Sequence, residues 1–354
     1  MQLNRHLLAD AVEVINGLGE LNETFDGANV LLTGAAGFLG AHFVHYFLAL
    51  NDSGRLRQKC RILAIDNFSR GLPHWLKQLE SRPDLELQRA NITQKRDFPL
   101  VEFVIHAASI ASPTFYRLNP IETMDANVIG MRNLLDHAVT SPPRGFLFFS
   151  TSEIYGDPTP ENIPTRETYR GNVSCTGPRA CYDESKRYGE TLAVTFALKF
   201  RLNIVTVRPF NNYGPGLPLS DRRVLPDFFR DAMKKQPIVL LSDGSATRTF
   251  CYVSDALEGY LRAMLKGRSG EAYNIGAEKP EISVRELADQ VAKVTGSPEL
   301  TVYGQSEDQQ YLTDNPQRRC PSIAKARKDI GFEPRVSLNS GLQKMYQYYL
   351  DQPQ

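Results

Sequence analysis

Short, nearly continuous apolar runs recur along the chain, separated by stretches whose apolar residues return every three or four positions. Asn29–Thr33, 61–65, Leu85–Arg89, 101–105, 146–149 and 203–207 read as strands. Helices are predicted over 41–50, 121–140, 182–200 and about 254–265. Strands this apolar, alternating with helices, suit a parallel sheet covered on both faces, so an α/β fold is expected. Upstream, Leu7, Leu8, Ala11, Val12, Ile15 and Leu18 fall at helical spacing and predict a short amphipathic helix. That prefix has three candidate roles: covering core, contacting a second copy, or forming a lid. Pro and Gly concentrate in 157–178 and 213–218, expected as loops over an active site.

The first strand runs into Gly34-Ala35-Ala36-Gly37-Phe38-Leu39-Gly40, and a helix follows. Gly34 permits a tight turn, Gly37 lets backbone approach a pyrophosphate at the helix N-terminus, and Gly40 allows close helix–strand packing. This is a dinucleotide cradle, and the fold class becomes a Rossmann-type doubly wound parallel sheet with a smaller C-terminal substrate-binding lobe. The second strand ends at Asp66-Asn67; an acid there can take both adenosine ribose hydroxyls and repels a 2′-phosphate, which favours NAD. Arg70 nearby argues the other way. Asn91-Ile92 is expected at the adenine edge, and Ala107-Ala108-Ser109 follow a strand with side chains small enough for close approach. Asn127, on the helix predicted over 121–140, completes the cofactor candidates.

Tyr182 and Lys186 lie four residues apart, so a helix puts them on one face. The Lys186 ammonium beside the phenol is expected to lower its pKa, making Tyr182 a general base for a substrate alcohol. Thr151 or Ser152, at the end of the strand over 146–149, would hydrogen-bond the same oxygen. Oxidation of a secondary alcohol fits this set.

At 354 residues, 42% hydrophobic and 23% charged, the chain exceeds the usual span of one core, and a second lobe is expected. The division expected is 1–27 as a helical extension, 28–210 as the NAD-binding domain and 211–354 mainly as the sugar-nucleotide lobe, with about 254–272 returning to the first layer. A net charge of +1 gives no basic surface for nucleic acid, and no apolar stretch is long enough to span a bilayer. The first residues lack the apolar core of a secretion signal, and Cys60, Cys175, Cys181, Cys251 and Cys320 lack metal-ligand spacing. A cytoplasmic protein with reduced thiols and no metal is expected.

From about Ala28 onward the chain resembles the extended short-chain dehydrogenases/reductases that act on nucleotide sugars, and among them the UDP-glucuronate decarboxylases (UDP-xylose synthases). The resemblance rests on Ser150-Thr151-Ser152-Glu153-Ile154-Tyr155-Gly156-Asp157-Pro158, on 177–187 around Tyr182, on Thr247-Arg248-Thr249-Phe250-Cys251-Tyr252-Val253-Ser254-Asp255, and on Asp314-Asn315-Pro316-Gln317-Arg318-Arg319. It implies NAD-dependent conversion of UDP-glucuronate to UDP-xylose through a 4-keto intermediate. It also implies Glu153 handling protons near C5 or the carboxylate, and Arg248 on either the sugar carboxylate or the diphosphate. Asn211 and Arg319 (or Arg318) would bind substrate with Ser109, and a homodimer would form through the helices near 121–140 and 182–200. Related 4,6-dehydratases carry Asp where Ser152 stands, which speaks against dehydration. Departures lie in 214–223, at Asn91 and at Gly276-Ala277-Glu278. Two alternatives stand beside decarboxylation: another enzyme with a 4-keto intermediate (4-epimerase, 4,6-dehydratase or C4 oxidase) and a non-catalytic NAD-binding protein.

Overall fold

A computed structural model describes residues 3–297, 301–306, 310 and 312–352. Seven parallel strands form the main sheet: β1 (Asn29–Thr33), β2 (Arg61–Asp66), β3 (Leu85–Arg89), β4 (Phe103–His106), β5 (Gly145–Phe149), β6 (Ile204–Pro209) and β7 (Ala272–Ile275). Their order is β7-β6-β5-β4-β1-β2-β3, so the direction of winding reverses between β1 and β4. A doubly wound sheet opens its ligand crevice there, beyond the strand C-termini.

Strand alternation sends side chains to opposite faces, and both faces are buried. Val30 and Leu32 of β1 join a core with Phe43, Phe47, Leu257 and Leu261, whereas Leu31 joins Met131, Leu135, Leu192 and Phe196 on the other side. The helix Val253–Lys266 lies on the first face and β7 extends the sheet beside β6, with Tyr273 opposite Val207. A separate core of Leu225, Phe229, Leu287, Val291, Leu342 and Met345 builds the smaller lobe.

The N-terminal helix forms over Arg5–Leu18, with Asn4 accepting from the His6 and Leu7 amides. Ala11, Val14, Ile15 and Leu18 are buried against the first core and Leu7 is buried as well, so the helix covers core, one of its three candidate roles. Val12, counted on the apolar face from sequence, points outward. The helix also touches the smaller lobe: Tyr252 donates to the buried Asp10 at 2.9 Å, and Ser254 to Glu13 at 3.0 Å.

The single helix predicted over 121–140 is Pro120–Asp125, one wide π turn at Ala126–Gly130, then Met131–Thr140. Gly130 there meets Ile92, whose methyl carbon lies 2.6 Å from where a Cβ would sit. Among the described residues no helix is long and apolar enough to cross a membrane, and no cluster of His, Cys, Asp and Glu could hold a metal.

Candidate active site

One cleft of about 1200 Å³ runs along the C-terminal edge of the sheet and under the smaller lobe. It exceeds the usual range for a single small ligand, and its length suits two nucleotides end to end. Every cofactor and substrate candidate from the sequence lines it except Asn127.

At the first turn Gly34 has φ +77°, and a Cβ would strike the Ala107–Ala108 backbone at 2.7–2.8 Å. A Cβ on Gly40 would come within 2.2 Å of the Gly34 carbonyl oxygen. Only glycine lets the turn close this tightly. The helix Phe38–Asp52 has Gly37 as its cap, with no side chain on the first amides, so the N–H groups of Phe38, Leu39 and Gly40 remain for an anion. Asp66 accepts from the amides of Ala36 (3.0 Å) and Phe68 (2.8 Å), and burial raises its pKa despite these bonds. The side chains of Asn67 and Asn91 brace their own turns, at Ser69 and Thr93. The Ile92 carbonyl accepts from Asn133 at 3.0 Å, and Ser109 Oγ is buried without a hydrogen-bond partner. These features fit a dinucleotide: a cradle that a Cβ would fill, and an uncapped helix start.

Asn127 sits in the π turn, fully buried, and donates to Ser185 Oγ at 2.9 Å, which braces the Tyr182–Lys186 helix; its neighbours Asp125 and Ala126 line the cleft, and its own amide oxygen has no hydrogen-bond partner among the described residues.

The helix Ala180–Phe200 carries Tyr182 and Lys186 inward, both almost wholly buried. Tyr182 stacks flat on Tyr116, with centroids 5.0 Å apart and planes 4° from parallel, and its hydroxyl hydrogen-bonds Thr151. Lys186 Nζ donates to the Phe149 carbonyl at 2.7 Å and lies 5.8 Å from the Tyr182 ring centre. The lowering of the phenol pKa expected from Lys186 is outweighed by burial. Burial pushes the phenol well above its usual value, against the weaker pull of the Thr151 bond, and the cation acting on it is Arg223. Burial likewise brings Lys186 down to about 7. Two ionisable groups in one dry wall each disfavour charge, and the lysine is held by a carbonyl instead of the phenol.

Beyond Tyr182 lies a buried charge cluster that three distant segments assemble. Glu153, after β5, takes two parallel bonds of 2.6 Å from Arg319 and a further bond from Arg179. Burial would raise its pKa, but the charges of Arg179 and Arg319 outweigh it and hold the carboxyl at about 2. Glu153 is therefore a fixed carboxylate here, and the proton handling expected of it requires those arginines to move. Arg248 and Arg319 are register partners on the short parallel strands Thr247–Arg248 and Arg318–Arg319, which sets their side chains side by side. Alternation turns Arg318 outward to Glu281, so it is Arg319 that enters the cleft. Among the described residues Arg248 hydrogen-bonds no carboxylate: its guanidinium donates to the backbone carbonyls of Thr247, Pro316 and Gln317 and to Asn315 Oδ1. Burial and then Arg319 press its pKa down to about 9, so it stays charged at neutral pH. Burial and Glu153 raise the pKa of Asp183, which lies 3.8 Å from Arg179; among the described residues three guanidiniums, Arg179, Arg248 and Arg319, cluster with Glu153, and Asp157 also acts on Arg248. Such a site has room for an added anion.

Asn211 (φ +42°) donates its amide to the Thr249 carbonyl at 2.8 Å, and Ser152 is buried at the cleft wall. Arg179, Tyr116, Asp221 and Arg223 were assigned no role from sequence. Arg179 had a signal: it precedes Tyr182 by three residues on the same helix face.

The family profile "NAD dependent epimerase/dehydratase family" matches residues 30–276. UDP-glucuronic acid decarboxylase 1 of Arabidopsis thaliana is 37% identical over 319 residues, covering 89% of this chain and 68% of the relative. The protein of the same name from Xenopus tropicalis is 34% identical, covering 92% and 72%. Among solved structures, the UDP-glucose 4-epimerase of Thermotoga maritima, determined with UDP-glucose, superposes with a TM-score of 0.79 at 26% identity, over 91% of this chain and 98% of that one. With the glycine cradle, the Tyr182–Lys186 helix and this likeness over most of its length, the chain belongs to the NAD-dependent epimerase/dehydratase family.

Proposed function

We propose that this protein converts UDP-glucuronate to UDP-xylose and CO2 through a 4-keto intermediate, using NAD that is regenerated within each turnover. The observation that carries this reading is the buried Arg248, whose hydrogen-bond partners among the described residues are neutral carbonyl oxygens, beside Arg319, Arg179 and Glu153. A nucleotide sugar bearing a carboxylate supplies the missing negative charge, and the similarity to UDP-glucuronic acid decarboxylases supports the same assignment.

When bound, NAD supplies the acceptor for the C4 hydride and returns it at the end. Gly34, Gly37, Phe38, Leu39 and Gly40 would cradle its pyrophosphate, Asp66 and Asn67 the adenosine ribose, and Asn91 and Ile92 the adenine edge. Ala107 and Ala108 would admit the rest of the dinucleotide, with Lys186 close by. Tyr182 takes the O4 proton while Thr151 and Ser152 hold that oxygen by hydrogen bonds. Oxidation at C4 makes the sugar a β-keto acid. The C5–carboxylate bond breaks with its electron pair flowing into the C4 ketone; Arg248 orients the carboxylate, and Glu153 with Arg319 lies where C5 must regain a proton. Ser109 and Asn211 would hold the sugar and diphosphate.

A panel of nucleotide sugars incubated with the enzyme and read by mass spectrometry tests this. UDP-glucuronate is expected to lose one CO2 and yield a UDP-pentose without consuming added NAD. Loss of water, an unchanged mass with an inverted C4, or net NADH formation would instead assign the dehydratase, epimerase or C4 oxidase reaction.

The same reading includes a homodimer in a reducing, cytoplasmic setting. Leu118, Ile121, Ile129, Tyr188 and Leu198 are exposed on the helices of 113–140 and 180–200 and form an apolar surface suited to a two-fold helix pairing. Replacing Leu198 by Asp is expected to convert a dimer to a monomer in analytical ultracentrifugation; a wild-type monomer removes the assignment.

A further inference from the structure

Residues 214–223 lead from the main sheet into the smaller lobe and line the cleft from Gly216 onward. The Pro215 carbonyl accepts from His42 Nε2 at 2.7 Å, in the helix that starts at the glycine cradle. The Leu217 carbonyl accepts from the Tyr349 hydroxyl at 2.7 Å. The far end is fastened at Asp221, which is 1% exposed. Its carbonyl accepts from Ser112 Oγ at 2.8 Å, four residues beyond Ala108. Its carboxylate lies 3.4 Å from Arg70 Nη1, four residues beyond Asp66, and also accepts from Arg223. Arg70 is itself seated over the Phe115 ring, 4.3 Å from its centre. So the arginine that might have received a 2′-phosphate is committed to the crossing segment. Burial acts to protonate Asp221, but Arg223 and Arg70 outweigh it and keep the carboxylate ionised.

The fastening joins loops that belong to different parts of the molecule. Arg70 and Ser112 follow β2 and β4 of the main sheet, whereas Asp221 comes from the chain entering the smaller lobe. Both sides line the same cleft as the glycine turn. A dinucleotide held between the glycine turn and Tyr182 would share this cleft with residues 216–223.

We propose that Asp221 is a positioning residue for cofactor retention: it pins residues 214–223 to Arg70 and Ser112 across the dinucleotide cleft, and NAD leaves only when that pin opens. This rests on the NAD-dependent reading above. A reaction that returns its hydride within one turnover benefits from a cofactor that stays, because release after C4 oxidation would strand the intermediate. The pin supplies that retention without touching the reacting atoms.

Asp221→Asn preserves shape and removes the charge. Full-length enzyme loaded with radiolabelled NAD is mixed with excess unlabelled NAD, and release is followed by rapid filtration. Loss of a charge-assisted contact is expected to speed release about tenfold, with the modest fall in unfolding temperature that losing a native ion pair brings and the affinity for UDP unchanged. Arg70→Ala, at a half-exposed residue, is expected to speed release as well, and combining it with Asp221→Asn to add little, because both remove the same link. Release at the wild-type rate in Asp221→Asn overturns the proposal. So does faster release accompanied by equal losses in unfolding temperature and UDP affinity, which would make Asp221 an ordinary structural acid. A wild-type protein that binds no NAD removes the cofactor reading and the pin with it, whereas wild-type retention with an unaffected variant removes the pin alone.

Discussion

Tyr182→Phe is expected to lower turnover of UDP-glucuronate by about 10²–10⁴-fold while leaving NAD bound. The variant loses one hydroxyl and nothing else of size. The Phe ring retains the flat stack on Tyr116, and the glycine turn that would hold the pyrophosphate is far from the change. The missing group is the one whose oxygen hydrogen-bonds Thr151 and would accept the O4 proton. In the cofactor-free protein that phenol is a poor base, because burial holds its pKa well above the usual value. The positive charge of the oxidised cofactor is what the pocket lacks, so proton removal is expected only in the loaded enzyme. Two measurements decide this: NAD content after gel filtration, and CO2 release. Turnover within threefold of wild type would remove Tyr182 from the base role, and loss of NAD would make it a binding residue.

The parts of this site that could be read from sequence are those in which neighbours in the chain do the work together. The turn at 34–40 is local: one strand end, three glycines and one helix start define it. Tyr182 and Lys186 share a helix face by spacing alone. The charge cluster is of another kind. Residues 153, 179, 248 and 319 meet only because two-residue strands of the smaller lobe bring Arg248 beside Arg319 and set both against the end of β5. Sequence could not choose between Arg318 and Arg319; strand alternation separates them at once. It also could not reveal that Glu153 begins locked between two arginines.

Other differences have equally local causes. Asn127 lies on a helix expected to be regular, and the π turn there, which sets it against Ser185, has no mark in the apolar pattern. Val12 fits the helical spacing of its neighbours but lies at the edge of the apolar stripe, where the curvature of the layer leaves it in solvent. Six of the seven strands were legible from alternating apolar runs and helices, whereas β7 and the strand order were not. The fastening of 214–223 was not, because Asp221, Arg70 and Ser112 lie in three separate loops.

Lys186→Met is expected to abolish turnover yet stabilise the cofactor-free protein, and the gain should depend on pH in a defined direction. Lys186 is 2% exposed, it hydrogen-bonds the Phe149 carbonyl alone among the described residues, and burial lowers its pKa from 10.5 to about 7. Above pH 10.5 the side chain is neutral both folded and unfolded, and the burial penalty vanishes. As pH falls from 10.5 to 7 the unfolded chain binds a proton that the folded chain refuses, so wild-type stability declines through that window and levels off below it. Each pH unit is worth about 1.4 kcal/mol, which sets an upper bound near ~5 kcal/mol across the window. Relaxation of the wall and loss of the carbonyl bond, about 1 kcal/mol, reduce the net gain to roughly 2–3 kcal/mol at pH 6. Methionine fills nearly the same volume without a charge. Urea unfolding of both cofactor-free proteins at pH 6, 8 and 10 measures this, with the advantage of Lys186→Met expected to shrink toward zero at pH 10. A variant less stable than wild type at pH 6, or a pH-independent difference, would show that the ammonium is not buried at a cost. The predicted result would instead identify Lys186 as a residue kept at the expense of stability because its proton and charge serve the nicotinamide end of the cleft.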